Sequence, residues 1–210
     1  VIEYPVPLAV EDFVPVVLTT CGVTLLTRHV DARSRPGVLL AAVLICAGGL
    51  AKASWKLTVA LGGPDVTWLE QLLFPLLTAG FGLLAWILVS HHHSRTPQWI
   101  PPLVIGLSLL CAGGAALAGG MLPLLVSTTV FATLSGVHLI LAAQRNRDPL
   151  TAALFGLQLL GFFILSPLAA RPDQTLALQW VEQLSNSAAQ AGFAIAAFRL
   201  CRPRRLEAVR

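Results

Sequence analysis

Apolar runs of roughly 20 residues follow one another along the chain, and the charged residues are confined to the short gaps between them. A helix needs about that length to cross the hydrocarbon core of a bilayer. A soluble core does not explain the pattern, because the runs leave no polar face to meet water. Composition agrees, with 56% hydrophobic and 11% charged residues among 210, whereas a soluble domain carries about a quarter charged. The expected fold class is all-α: a polytopic membrane protein, one membrane domain over residues 1–210 with the lipid bilayer as its surroundings.

Seven transmembrane helices are expected, at 10–27, 37–61, 68–90, 99–118, 121–143, 149–169 and 177–200. Turn-forming residues punctuate the breaks, among them Arg35-Pro36-Gly37, Gly62-Gly63-Pro64-Asp65, Gly119-Gly120, Asp148-Pro149 and Arg171-Pro172-Asp173. With seven spans, eleven arginines (Arg28, Arg33, Arg35, Arg95, Arg145, Arg147, Arg199, Arg202, Arg204, Arg205 and Arg210) fall on one side and only Arg171 on the other. Cytoplasmic loops collect the cations of a membrane protein, so the N-terminus is expected outside and the C-terminus in the cytoplasm. The net charge of +4 thus marks topology, and no nucleic-acid partner is expected. Residues 1–12 hold Glu3, Glu11 and Asp12 and no basic residue, so the first helix rather than a cleaved signal peptide is expected to direct insertion. Cys21, Cys46 and Cys111 lie within apolar runs and Cys201 at a helix end, as packing thiols rather than a disulfide framework. The excess of arginine over lysine, twelve to two, fits a GC-rich bacterial genome and a bacterial plasma membrane.

The chain also repeats itself. Trp68-Leu69-Glu70-Gln71-Leu72 matches Trp180-Val181-Glu182-Gln183-Leu184, and Ala79-Gly80-Phe81 matches Ala191-Gly192-Phe193 in the same register, giving nine identities in 22 positions. More faintly, Val14 to Thr20 matches Leu122 to Thr128, and each stretch is followed by an arginine-bearing loop and a proline, Pro36 or Pro149. These matches predict a 3+1+3 arrangement: a three-helix repeat at 10–90, a linker helix at 99–118, and a second repeat at 121–200. A single joining helix gives the two triplets the same orientation, a parallel repeat about an axis along the membrane normal. A competing echo, Cys46-Ala47-Gly48-Gly49 and Cys111-Ala112-Gly113-Gly114, is read as the recurrence of small residues where helices pack closely. The arrangement is similar in topology to the SWEET sugar transporters and the wider PQ-loop group. Those families carry Pro-Gln at the end of the first helix of each repeat, where this chain has Leu26-Thr27-Arg28 and Ala142-Ala143-Gln144. The resemblance is one of topology alone.

Ionisable residues inside apolar runs carry the functional signal. Lys52 and Lys56 are one helical turn apart, about 13 Å and 7 Å below the end of their span at Leu61. A lysine near the interface can snorkel, but a deeper ammonium needs a partner or a wet cavity. Glu70 and Glu182 enter from the same side, as an ion-pairing or proton-carrying pair or as helix-end carboxylates that complement the dipole. The seventh run is the polar one, with Glu182, Gln183, Asn186, Ser187 and Gln190 along one side. The expected ligand-binding residues are Lys52, Lys56, Glu70, Gln71, Glu182, Gln183, Asn186 and Gln190. Thr20, Thr24, Thr129 and Thr133 are expected to bond to their own helix backbone, and Pro15, Pro75 and Pro123 to kink theirs. His91, His92 and His93 point about 100° apart on a helix and cannot readily ligate one ion, so neither a metal nor another cofactor is expected. No nucleophile elbow, Walker loop or His-Glu-x-x-His signature occurs, and no catalytic residue is assigned.

These features predict a permease for a small polar or anionic solute, with a polar site opening outward between the repeats. The alternatives are a ligand-sensing or accessory subunit, with a membrane-protein partner or a second copy, and an intramembrane lipid-modifying enzyme.

Overall fold

The computed structural model describes residues 5–92, 106, 120–169 and 175–202. The expected linker helix at 99–118, including Cys111 to Gly114, lies outside the described residues except for Gly106, as do Arg95, Arg171, Arg204, Arg205 and Arg210. The described residues are helical, without strands: α1 (Val6–Glu11), α2 (Phe13–Leu25), α3 (Arg35–Ala60), α4 (Thr67–Gln71), α5 (Leu73–His92), α6 (Leu122–Arg145), α7 (Pro149–Ala169) and α8 (Leu176–Leu200), with a single 3-10 turn at Leu26–Arg28. Among the described residues, four helical stretches, Val6–Arg28, Arg35–Ala60, Thr67–His91 and Leu122–Arg145, are long and apolar enough to cross a membrane. That property suggests an integral membrane protein. The described apolar part of α7, Pro149–Leu165, is shorter, and α8 is diluted by Gln179, Glu182, Gln183, Asn186, Gln190 and Arg199.

Prolines set the helix boundaries. Pro36 and Pro123 lie in the first turns of α3 and α6, where a missing N–H leaves no hydrogen bond unmade. Pro123 therefore starts its helix, against the expectation that it would kink it. Pro15 and Pro75 do interrupt theirs: a proline ring clashes with the carbonyl four residues back, and α1 ends at Glu11 and α4 at Gln71. At the far end of α3, Gly62 takes φ 75°, the left-handed conformation that glycine adopts without penalty. Its N–H then bonds Val59 O at 3.0 Å and that of Gly63 bonds Thr58 O at 2.9 Å, closing the last turn.

The six long helices form a closed ring in the order α2, α3, α5, α6, α7, α8, each packed on the next and α8 back on α2. Helices α2 and α8 run in the same direction, since Glu11 meets Ser187, Thr19 meets Gln190 and Gly22 approaches Phe193. The pair α5 and α6 is parallel too: Thr78 meets Ser127 and Thr128, and farther along Leu84 shares a small cavity with Ser135 and Leu139. The chain therefore leaves α5 at one end of the ring and enters α6 at the other.

Burial is uneven along the ring axis. The core gathers Val23 and Leu26 of α2, Val38, Ala41 and Ile45 of α3, Leu84 and Leu88 of α5, Leu139 and Ala143 of α6, Phe155 of α7 and Phe193 to Leu200 of α8. All of these lie toward the end where α2, α5, α6 and α8 finish and α3 and α7 begin, so that end is sealed. Close approach helps: a Cβ on Gly80 would stand 3.1 Å from Ala41 O, the kind of contact small residues permit between helices in lipid. The outer surface carries the remaining apolar side chains, with Val17 56%, Val43 62%, Leu157 56% and Ile164 57% exposed. A girdle of this kind in water would mark an aggregation surface; acyl chains match it.

Candidate functional site

At the opposite end the ring is hollow. A cavity of about 500 Å³ lies within it and draws residues from all six helices, including Thr19, Lys52, Phe81, Thr128, Gln158 and Glu182. Toward the sealed end it is succeeded by a pocket of about 20 Å³ between Phe81, Leu84, Leu139 and Phe193, room for little more than one water. The floor of the large cavity is thus mostly apolar, with Thr19, Ser135 and Gln158 as its polar members.

Its polar wall is α8. Glu182, Gln183, Asn186 and Gln190 recur at helical spacing and all line the cavity. Thr19 donates to Gln190 Oε1 at 3.0 Å, and Gln190 Nε2 points to Asn186 Oδ1 at 3.4 Å. Helix α8 is capped by Thr175, whose hydroxyl accepts from Leu178 N at 3.2 Å. Glu182 therefore stands about two turns inside the helix and is not its cap. On the facing side of the ring α5 contributes Leu73, Phe74, Leu77 and Phe81, so the cavity has one polar wall and one apolar wall.

The charged residues divide into a closed pair and an open pair. Lys56 Nζ lies 2.6 Å from Asp12 Oδ2, with side chains only 14% and 15% exposed. Gln183 Nε2 donates to the other Asp12 oxygen, and Ser187 Oγ donates to Glu11 Oε1 at 2.5 Å. These contacts fasten the start of α2 to α3 and α8. Lys52, one turn deeper on α3, lines the cavity, and among the described residues no carboxylate lies within 4.0 Å of its ammonium. Glu182 stands in the field of Lys52, Lys56 and Asp12 without contacting either lysine at ion-pair distance.

Of the residues singled out from sequence, Lys52, Glu182, Gln183, Asn186 and Gln190 converge on the cavity. Lys56 sits beside it, bound to Asp12. Glu70 and Gln71 do not join them: both are exposed on α4 and neither lines the cavity. Glu70 lies in the first turn of α4, where a carboxylate complements the dipole. No protein-family model, curated protein or solved structure matches this chain. The reading of the site therefore stands on its own chemistry.

Sequence reasoning passed over Thr19 and Gln158, and took Asp12 only as an acid at the depth of the lysines rather than as a site residue. Gln158 carried a usable signal, as the one amide in the apolar run from Leu150 to Leu165. The threonine expectation holds for Thr20, Thr129 and Thr133, which bond to Val16 O, Leu125 O and Thr129 O at 2.7, 2.8 and 2.7 Å. At the sealed end, His29 and His91 meet edge to face with ring centroids 5.4 Å apart, and His91 Nδ1 lies 3.5 Å from Asp31. Burial, and then the neighbouring His91, hold the His29 imidazole below its usual range.

Proposed function

We propose that this chain is a small-solute permease of a bacterial plasma membrane, crossing the bilayer seven times with its N-terminus outside, and that the central cavity is its outward-side binding site between two parallel three-helix repeats. The observation that carries the reading is the cavity itself: about 500 Å³, lined by all six ring helices and by Lys52, which has no carboxylate partner among the described residues, and succeeded at one end by mostly apolar packing. A pathway closed on one side around a central polar site is what alternating access requires of one of its states.

The helix order supports the repeat. Matching α2, α3 and α5 to α6, α7 and α8 converts every contact in the ring into another contact in the ring. The sequence registers that align 78 with 190 and 19 with 127 pair the Thr78–Ser127 bond with the Gln190–Thr19 bond, each 3.0 Å. Aligning Pro36 with Pro149 likewise pairs Gly80 against Ala41 with Gly192 against Leu154. The seventh crossing is supported by the parallel course of α5 and α6, because a chain returning to its starting side must traverse the ring height between them. Arginine placement, eleven to one, supports the orientation.

The test is uptake into proteoliposomes holding the purified full chain, screened with small polar solutes. A Lys52→Ala variant that folds normally is expected to lose uptake. Uptake equal to the unsubstituted protein overturns the assignment of the cavity, and ligand binding with no uptake in any orientation favours the sensing subunit instead.

A further inference from the structure

We propose that the cavity selects a small amphipathic zwitterion: an ammonium and an anionic group on one apolar body. The inference deepens the permease reading and rests on the central cavity being a ligand site. The sequence alone pointed to a polar or anionic solute, because two lysines stood out among the apolar runs. The structure changes that balance. Lys56 is already neutralised by Asp12 at 2.6 Å, and Gln183 takes the second Asp12 oxygen. Among the described residues, what remains open on the lining is one ammonium, Lys52, and one carboxylate, Glu182. They sense each other electrostatically yet do not meet within 4.0 Å among the described residues.

A membrane-embedded charge is retained where something of opposite sign meets it. A ligand with a single negative charge would satisfy Lys52 and leave Glu182 unanswered, and a cation would do the reverse. A zwitterion answers both and leaves the site as neutral as it found it. The carboxylate or phosphate of the ligand pairs with Lys52 on α3, its ammonium with Glu182 on α8, and the amides of Asn186 and Gln190 accept or donate the remaining hydrogen bonds. The ring geometry then dictates the rest of the molecule. Helices α5 and α8 face each other across the cavity, so a head group held on α8 directs its remaining atoms to Phe74, Leu77 and Phe81. Those side chains reward an apolar body and give a sugar or a bare ion no hydrogen bonds. A cavity of about 500 Å³ falls within the range of small-molecule sites.

Two sources offer this chemistry, a free amphipathic amino acid and a zwitterionic lipid head group. The test uses the full chain in detergent with three probes sharing one isobutyl body: L-leucine, isopentylamine, which lacks the carboxylate, and 4-methylpentanoate, which lacks the amine. Dihexanoyl phosphatidylethanolamine forms a fourth arm that reports the lipid source. Calorimetric titration is expected to give L-leucine or the short-chain lipid about tenfold or greater preference over both single-charge probes, as expected for loss of one charge-assisted contact. Lys52→Met should bring the zwitterion down to the affinity of the amine, and Glu182→Gln down to that of the acid; Lys52→Arg should keep the preference, showing that loss in the first variant is not misfolding. Equal binding of all probes, preference for the lone anion, or no binding by any probe overturns the proposal. Zwitterion binding without uptake into proteoliposomes defeats the permease reading and leaves the ligand class standing. Lys52-dependent uptake of a net anion does the opposite.

Discussion

Thr19 and Gln190, 171 positions apart, are joined by a 3.0 Å hydrogen bond across the seam between α2 and α8. The opposite seam, between α5 and α6, carries Thr78 bonded to Ser127 at 3.0 Å and to Thr128 at 2.8 Å. The two seams occupy matching positions in the proposed repeat but differ in surroundings. Gln190 and Thr19 line the cavity, and so does Thr128, but Thr78 is only 2% exposed with Ser127 and Thr128 each 1% exposed.

That difference predicts unequal sensitivity. Thr78→Val takes from the buried Thr128 hydroxyl its bond to Thr78, while Ser127 keeps Leu124 O, and should destabilise the protein by about 1–3 kcal/mol. Thr19→Val leaves Gln190 beside a cavity where water can replace the lost bond, and should cost about 1 kcal/mol or less. Thermal unfolding of the two variants in one detergent checks the order; a larger loss at Thr19 would mean that the cavity is dry.

The Lys56–Asp12 pair, nearly enclosed at 2.6 Å, should behave as a unit. Removing one member strands a buried charge, which typically costs about 3–5 kcal/mol, whereas replacing both costs far less. Lys56→Met and Asp12→Leu should each destabilise strongly and the double variant less than either alone. Gln183 would lose its acceptor in both Asp12 variants, so Gln183→Leu belongs in the same thermodynamic cycle. Additive effects would show the pair to be incidental to stability.

At the sealed end, His29 favours its neutral form because burial, and then His91, penalise the imidazolium. The unfolded chain takes up a proton near the ordinary value of 6.5, whereas the folded one resists until lower pH. The contribution of His29 is therefore fully present above that value and is lost as pH falls through the depressed folded value. Thermal midpoints measured from about pH 7.5 down to about pH 5 should fall, and His29→Phe should flatten the decline. A decline unchanged in the variant would assign it to other groups.

Much of this arrangement is legible in the sequence, and the exceptions have physical causes. Lys52, Glu182, Asn186 and Gln190 stand out because polar side chains in apolar runs require an explanation, and they do meet at one cavity. Asp12 reads as an acid opening the first span at the depth of the lysines; the helix begins at Val6, and Asp12 pairs with Lys56. The ring order was not readable, because it depends on which faces pack rather than on where the runs lie. The most instructive miss is Glu70. It shares the Trp-x-Glu-Gln-Leu context with Glu182, yet one is exposed and the other lines the cavity. Five residues beyond Glu70 stands Pro75, and five beyond Glu182 stands Ser187.

That single difference makes a final prediction. Pro75 cannot accept its place in a continuous helix, because it lacks an N–H and its ring crowds the carbonyl of Gln71. The regular helix is interrupted at Leu72, and Glu70 and Gln71 on α4 are exposed. In α8, Ser187 imposes no such break; its hydroxyl bonds Glu11 at 2.5 Å and the helix runs unbroken from Leu176 to Leu200. Pro75→Ser should therefore fuse α4 with α5 and turn position 70 toward the ring interior. A Glu70→Cys reporter is expected to react readily with a water-soluble maleimide when Pro75 is present and at least about tenfold more slowly with serine there, the difference expected of a thiol withdrawn from solvent. If the proline alone divides the two glutamates, the labelling rate will drop; an unchanged rate would show that the loop from Gly62 to Val66 holds α4 outward irrespective of the break.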